Sequence, residues 1–385
     1  MKILVVMDSF KGSVTSIEAG EAVKKGIEEA YEHDVPQVFV SPIADGGEGT
    51  IDSIFYQNQE PTSYSFVQGP LFEKSVIAKY GILNQTAILE IAETSGITLV
   101  KKELLNPWEA TTYGFGEQIR SLVKKGYRDF LIGLGGSATN DAGIGMLSAL
   151  GVDFQDENGK SLGYLLKDMR KLAKIDCQGL LPELKECRFK LASDVRNVLC
   201  GENGATYVFG KQKGVKENEM QEIDELLLNF SRLTEEVTHK QCREHEGSGA
   251  AGGIAFSFLS YFDSRLVSGF EEIASLTGLE EKIKQADLVV TGEGMLDSQS
   301  LMGKVPVAVA SMAKKHGKKV IALAGGVSKD AEKCNQMGIS AFFPTIQRIA
   351  NEQEILSTQS TKEAIRKTTQ QLFRFAQLFK GNLNK

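Results

Sequence analysis

Short unbroken apolar runs alternate with helical stripes at the start of the chain, the pattern of strands buried on both faces between amphipathic helices. Lys2 to Met7 is a continuous apolar strand that stops at Asp8. Thr15-Ser16-Ile17-Glu18 then carries the residues of a helix capping box, and Ile17, Val23, Ile27 and Ala30 fall on one helical stripe. A second strand, Gln37 to Ser41, leads to a short helix from Thr50 to Tyr56. The rhythm changes over 61–91. There the strand-like runs Tyr64 to Val67, Ser75 to Tyr80 and Ala87 to Ile91 are divided by the turn signals Gln68-Gly69-Pro70 and Leu83-Asn84-Gln85. An antiparallel arrangement is expected there, and with it a different domain.

Alternation returns toward the C-terminus as strand 287–291, helix 304–315, strand 319–324, helix 329–336 and strand 341–344. A last amphipathic helix from about Thr361 to Phe379 puts Ile365, Leu372, Phe373, Ala376 and Phe379 on one side. A chain of 385 residues exceeds the usual size of one domain. The economical fold is α/β with two dissimilar domains. Both chain ends, 1–60 and 285–385, build a parallel domain of Rossmann or flavodoxin type, and 61–284 forms an inserted mixed-sheet domain. The strand at 130–134 fits either domain.

The strands end in an unusual way. Phe130 to Leu134 runs into Gly135-Gly136-Ser137-Ala138-Thr139-Asn140-Asp141, and a helix pattern follows at Ile144, Met146, Leu147 and Leu150. Glycines let backbone N–H groups approach an anion, and a helix N-terminus adds a favourable dipole. Four more glycine-and-acid loops follow predicted strands: Asp8 to Ser13, Ala44 to Thr50, Ser193 to Asn197 and Thr291 to Asp297. In open α/β sheets ligands gather beyond the carboxyl ends of strands, so these loops are expected to converge on one cleft. Two further runs, Phe209 to Gly214 and Gly247 to Gly253, are cationic and small-residue respectively. The second implies close backbone packing or backbone approach to a ligand.

Composition narrows the chemistry. A formal charge of −6 and a pI near 5.5 argue against a nucleic-acid surface, so an anionic substrate needs local cations. Lys11, Arg196, Lys211, Lys213 and Lys304 are the candidates. No signal peptide or membrane-spanning run is visible, and the five cysteines form no Cys-x-x-Cys, as expected of a cytoplasmic chain with free thiols. No Walker A loop is present, because Asn158-Gly159-Lys160-Ser161 lacks the required earlier glycine and reads as a hairpin turn. Gly133-x-Gly135-x-x-Ala138 matches a degenerate dinucleotide fingerprint, which keeps an NAD(P)-dependent hydroxy-acid dehydrogenase open but leaves the other loops unexplained. A non-catalytic nucleotide-binding regulator is the other class.

Seven runs in order, DSFKGS (8–13), ADGGEGT (44–50), GLGGSATND (133–141), SDVRN (193–197), FGKQKG (209–214), GAAGG (249–253) and TGEGMLD (291–297), resemble the bacterial glycerate kinase family. The resemblance implies two dissimilar α/β domains with the site between them. It implies ATP-dependent phosphorylation of D-glycerate with Mg²⁺, the 2-phosphate being the favoured product. The 3-phosphate, or another small hydroxy acid as substrate, are the alternatives. The partners implied are small molecules, without nucleic acid or membrane, and a homo-oligomer is admitted. Lys11, Asp141 and Asp194 are the candidate catalytic residues. Asp8, Ser9, Asp45, Glu48 and Arg196 are the candidates for substrate. Gly135, Gly136, Ser137, Asn140, Lys213, Gly292 and Gly294 are the candidates for nucleotide or phosphate, and Asp194, Glu293 and Asp297 for metal.

Overall fold

The computed structural model describes residues 1–58, 61–71, 74–297, 304–348 and 351–378. Phe379, expected to close the last helical stripe, lies outside the described residues. In chain order the strands are β1 (Lys2–Met7), β2 (Gln37–Val40), β3 (Ser63–Gln68), β4 (Ser75–Leu83), β5 (Thr86–Glu90), β6 (Asp129–Gly133) and β7 (Asp153–Gln155). They continue as β8 (Lys174–Asp176), β9 (Arg188–Ala192), β10 (Asp263–Val267), β11 (Leu288–Leu296), β12 (Lys319–Val327) and β13 (Ala341–Pro344). Two α/β units result. Met1–Asp45, Asp52–Gln59 and Phe270–Lys385 make the first, and Gly46–Ile51 with Glu60–Gly269 the second. Residues 270–284 thus cluster with the chain ends, and the short run 46–51 with the inserted part.

The first unit carries a five-stranded sheet in the order β13-β12-β11-β1-β2, all neighbours parallel. Counted within the unit this is the flavodoxin-like order, with its reversal between β1 and β11. Ile3, Val5, Met7 and Val290 are fully buried, as a sheet covered on both faces requires. The helix Ser16–Glu28 begins with the expected reciprocal cap: Glu18 N–H donates to Thr15 Oγ1 at 3.2 Å, and Thr15 N–H donates to the Glu18 carboxylate at 3.1 Å. This helix packs on Thr358–Gln377 so closely that a Cβ at Gly26 would lie 2.4 Å from the Arg366 carbonyl oxygen.

Two expectations are corrected here. The sequence suggests a strand ending at 291 and then a loop, but β11 continues to Leu296, paired with β12 out to Val327. A Cβ at Gly325 would come within 2.5 Å of the Gly294 carbonyl, so glycines on both strands let the backbones stay paired. The helix expected over 329–336 is only a 3₁₀ turn, Ala331–Asn335. Its two buried residues, Ala331 and Cys334, are three apart, a spacing that a three-residue turn satisfies without further helix.

The second unit carries a six-stranded mixed sheet, β10-β9-β6-β5-β4-β3. From β10 to β5 the strands are parallel, while β4 and β3 are antiparallel additions. The strand at 130–134, which fitted either domain, is central here as β6, between β5 and β9. Phe130 stacks on Phe189 at 4.9 Å, and Phe258 and Phe262 close the aromatic core around Phe189. Asp156 to Gly159 forms the expected turn after β7, bringing Ser161 opposite Gln155, with Asn158 and Lys160 N–H groups donating to Asp156 Oδ1. Within Gly249–Gly253 the backbone of Ala251, Gly252 and Gly253 is left-handed, and a Cβ at Gly252 would meet the Thr139 carbonyl at 2.1 Å. Close backbone packing therefore accounts for that small-residue run. Among the described residues no helix is long and apolar enough to cross a membrane, and all five cysteines are free.

Gly26→Ala should cost about 1–3 kcal/mol through overpacking of the two helices. Urea unfolding measures this; an unchanged midpoint would contradict the close crossing.

Candidate active site

Ligands of open parallel sheets sit where the strand order reverses. At that point in the first unit, the segment after β1 and the end of β11 border a cavity of 310 Å³. Asp8, Ser9, Lys11, Asp45, Glu293, Gly294, Asp297 and Lys304 line it, together with Phe10, Met295, Ile346, Ile355 and Leu356. Asp8 is 6% exposed, and its Oδ1 accepts the Ser9 N–H at 2.7 Å. Burial, then the charge of Asp45, raises the Asp8 carboxyl to about 8, with Glu293 adding to the rise and the Ser9 amide and Lys11 opposing it. Lys11 Nζ stands 3.9 Å from Asp45 Oδ2 and is well exposed. Gly292 lies in the sheet itself: its carbonyl accepts the Asp8 N–H at 2.9 Å, and a Cβ there would meet the Leu323 carbonyl at 2.1 Å. That glycine serves strand packing. Gly294 faces Phe10, whose Cα is 3.4 Å from where its Cβ would be.

In the second unit the glycine loop after β6 is shaped by bare backbone. Gly135 N–H donates to the Gly46 carbonyl at 3.2 Å, and a Cβ at Gly135 would come 2.4 Å from Gly47 Cα. Gly46 itself, at φ +88°, lies against the Ala192 carbonyl at the end of β9. Any side chain here would push the 46–47 segment off the strand ends. Glu90, 2% exposed at the end of β5, secures that segment by accepting the N–H groups of Gly49 (3.0 Å) and Ile51 (2.6 Å) at the start of the helix Thr50–Asn58. Gly136 has φ +78°, with exposed Glu48 beside it.

A buried cation holds the loop from behind. Lys213, 3% exposed, donates to Ser137 Oγ at 2.9 Å and to the Thr139 carbonyl at 2.7 Å. Burial lowers its ammonium to about 7, and Asp141 partly opposes that fall. Asn140 Nδ2 donates to Thr206 Oγ1 at 2.9 Å, while Asn140 Oδ1 and Thr139 Oγ1 are buried without a hydrogen-bond partner. Asp141 is fully buried. Its Oδ2 accepts from Thr112 N (3.0 Å), Thr112 Oγ1 (2.7 Å) and Gly145 N (3.3 Å), and its Oδ1 from Gly143 N (3.2 Å). Burial raises its carboxyl, and these donors pull the other way. With no exposed oxygen and four donors, Asp141 ties the starts of the helices Tyr113–Lys124 and Ile144–Leu150 together.

Asp194 and Arg196 stand exposed on the segment after β9, where Val195 N–H donates to Ser193 Oγ at 3.2 Å and Arg196 pairs with Glu246 at 3.4 Å. Asn197 Nδ2 donates to the Asn203 carbonyl at 2.9 Å. The sequence candidates therefore form two groups, one around the cavity of the first unit and one around the glycine loop of the second. Among the described residues no three acidic, histidine or cysteine side chains converge as a metal cluster. Glu90, Thr112 and Thr206 were not singled out from the sequence. Only Glu90 left a trace there, as an acid ending an otherwise apolar strand.

Comparison with known proteins agrees over almost the whole chain. The family model described as the glycerate kinase family matches residues 3–377. The glycerate 2-kinase of Escherichia coli K12 is 40% identical over 356 residues, covering 92% of this chain and 93% of that protein. The glycerate kinase of Haemophilus influenzae is 39% identical over 358 residues, covering 92% and 94%. The crystal structure of a protein assigned as glycerate kinase 2 from Salmonella typhimurium LT2 superposes with a TM-score of 0.81 at 33% identity, covering 99% of each chain.

Two outcomes follow from the buried carboxylates. With its carboxyl raised from 3.8 to about 8, folded Asp8 keeps a proton that the unfolded chain has released. Stability should fall as pH rises through that window, and Asp8→Asn should flatten the fall. Melting curves of both proteins from pH 4 to 8 read this out, and parallel profiles would contradict it. Asp141→Asn turns an amide NH₂ toward donors and should cost about 1–3 kcal/mol in urea unfolding; a neutral change would remove the helix tie.

Proposed function

Because the chain belongs to the glycerate kinase family, we propose that it transfers the γ-phosphoryl group of ATP to D-glycerate, giving 2-phosphoglycerate and ADP. The observation that carries this reading is the glycine loop 135–140 backed by the buried cation Lys213. Phosphoryl transfer asks a protein for positioning and charge neutralisation more than for covalent chemistry. Bare glycines and a fixed ammonium are suited to that task. The 2-position is favoured by likeness to the relative named glycerate 2-kinase.

The roles follow from charge and exposure. Arg196, a planar guanidinium on an open loop, suits the substrate carboxylate. Asp194, exposed two residues away, is the group able to take the proton of the attacking hydroxyl. Lys11, exposed at the rim of the first unit's cavity, suits a phosphate oxygen. Gly136 and Ser137 let phosphate oxygens come near the backbone, and Lys213 fixes their conformation. Asp141 keeps the loop anchored.

Mg²⁺ fits the donor set. Asp8, Asp45, Glu293 and Asp297 line one cavity, where burial and then the charge of Asp45 raise the Asp8 carboxyl. Magnesium also commonly takes only one or two protein carboxylates beside phosphate oxygens. Glu293 and Asp297 would hold it, and the ion would neutralise phosphate charge.

Incubation with ATP, Mg²⁺ and a panel of hydroxy acids should release ADP with D-glycerate above all others. Asp194→Asn should lower kcat/KM by about 100-fold or more while leaving the urea midpoint in place. No ADP with D-glycerate from folded protein would sink the reading. Near-normal turnover in the Asn variant would take Asp194 out of the base role.

A further inference from the structure

The cavity of the first unit is a poor match to the small acid whose phosphorylation is proposed above. Its 310 Å³ falls in the range of about 300–1,000 Å³ typical of pockets that enclose much larger molecules. Four carboxylates line it (Asp8, Asp45, Glu293 and Asp297) against the two ammonium groups of Lys11 and Lys304. A free carboxylate substrate would find no excess of cations there. A neutral molecule rich in hydroxyls needs none, because carboxylates accept hydrogen bonds from vicinal hydroxyls, as the acidic residue of a doubly wound fold does from a ribose.

Apolar side chains line the cavity as well. Phe10 and Ile355 line it with Met295, Ile346 and Leu356, and these last three are 47%, 42% and 42% exposed. Partly exposed large apolar side chains lining a cavity suit a flat ring. The cavity also lies beyond the carboxyl ends of β1 and β11, where the order of a flavodoxin-like sheet reverses and where such sheets receive their ligands.

We propose that this cavity is the nucleoside site of the kinase, with the purine against Phe10, Met295, Ile346 and Leu356 and the ribose hydroxyls on Asp8 and Asp45. The assignment rests on the kinase reading and moves Asp8 and Asp45 from the acid substrate, where the sequence alone had put them, to the nucleotide. Carboxyl oxygens of Asp8 and Asp45 can accept hydrogen bonds from the ribose hydroxyls. Lys11 and Lys304, which also line the cavity, would take the phosphates that leave the ribose.

Two substitutions in the full chain test it. Ala364, on the helix Thr358–Gln377, also lines the cavity, and Ala364→Leu reduces its volume. It should raise KM for ATP by about tenfold or more while KM for D-glycerate stays within about twofold. Leu356→Gln, at the partly exposed rim, should act in the same direction if the leucine variant folds poorly. The wild type should prefer ATP over 2′,3′-dideoxy-ATP by about tenfold or more, and Asp45→Asn should narrow that preference to about threefold or less. A rise in KM for D-glycerate with KM for ATP unmoved, or a wild type indifferent to the ribose hydroxyls, would overturn the assignment. Calorimetry with adenosine separates the two claims. If no ADP forms yet adenosine binds and Ala364→Leu abolishes that binding, the kinase reading fails and the nucleoside site stands. If ADP forms and adenosine binding is unaffected by Ala364→Leu, only the site is wrong.

Discussion

A buried cation and a buried carboxylate bracket the glycine loop, and the second unit is arranged around the need to satisfy both. Lys213 reaches its two oxygen acceptors only because the turn Lys211–Lys213 lies against residues 137–139. Asp141 reaches four donors only because two helices begin beside it. In a low-dielectric interior either group left without partners is strongly destabilising. Their contacts therefore fix the path of residues 133–145 and leave the loop's glycines to shape its open side. Gly252 and Gly46 complete the constraint from neighbouring segments, since a side chain at either would press on a backbone carbonyl.

Local pattern carried much of the fold. Unbroken apolar runs located β1 and β6, and strand-like runs divided by turn signals located β3, β4 and β5. Thr15 and Glu18 announced their helix, since a capping box is made entirely within four consecutive residues. What escaped depends on partners distant in sequence. The extension of β11 to Leu296 needs Gly325 and Gly326 on the adjacent strand, and a reading of 291–297 alone sees only turn-forming letters. The turn at 331–335 has too few buried positions to tell a helix from a 3₁₀ turn by periodicity.

The candidate site divides the same way. Glycine-and-acid runs after strands marked both groups of residues, because such runs are poor choices for plain stability. Their roles were less legible. Asp141 and Asp194 look alike in the sequence, each an acid just past a strand, yet one is fully buried and the other exposed. Lys213 reads as one of several candidate phosphate-binding cations, and its burial depends on the loop residues Thr139 and Ser137, 74 and 76 positions earlier. Glu90 caps a helix that begins 40 residues before it, a contact that no local signal announces.

Chemistry of the product is the most direct test of the whole account. ³¹P NMR of ATP, Mg²⁺ and D-glycerate with the protein should show the γ-phosphate resonance replaced by ADP signals and one new phosphomonoester. Without proton decoupling that ester should be a doublet, because carbon 2 of glycerate bears a single hydrogen. A triplet would put the phosphate on carbon 3 and contradict the 2-position. Spectra in which no phosphomonoester grows, from protein with an intact urea transition, would contradict the kinase itself.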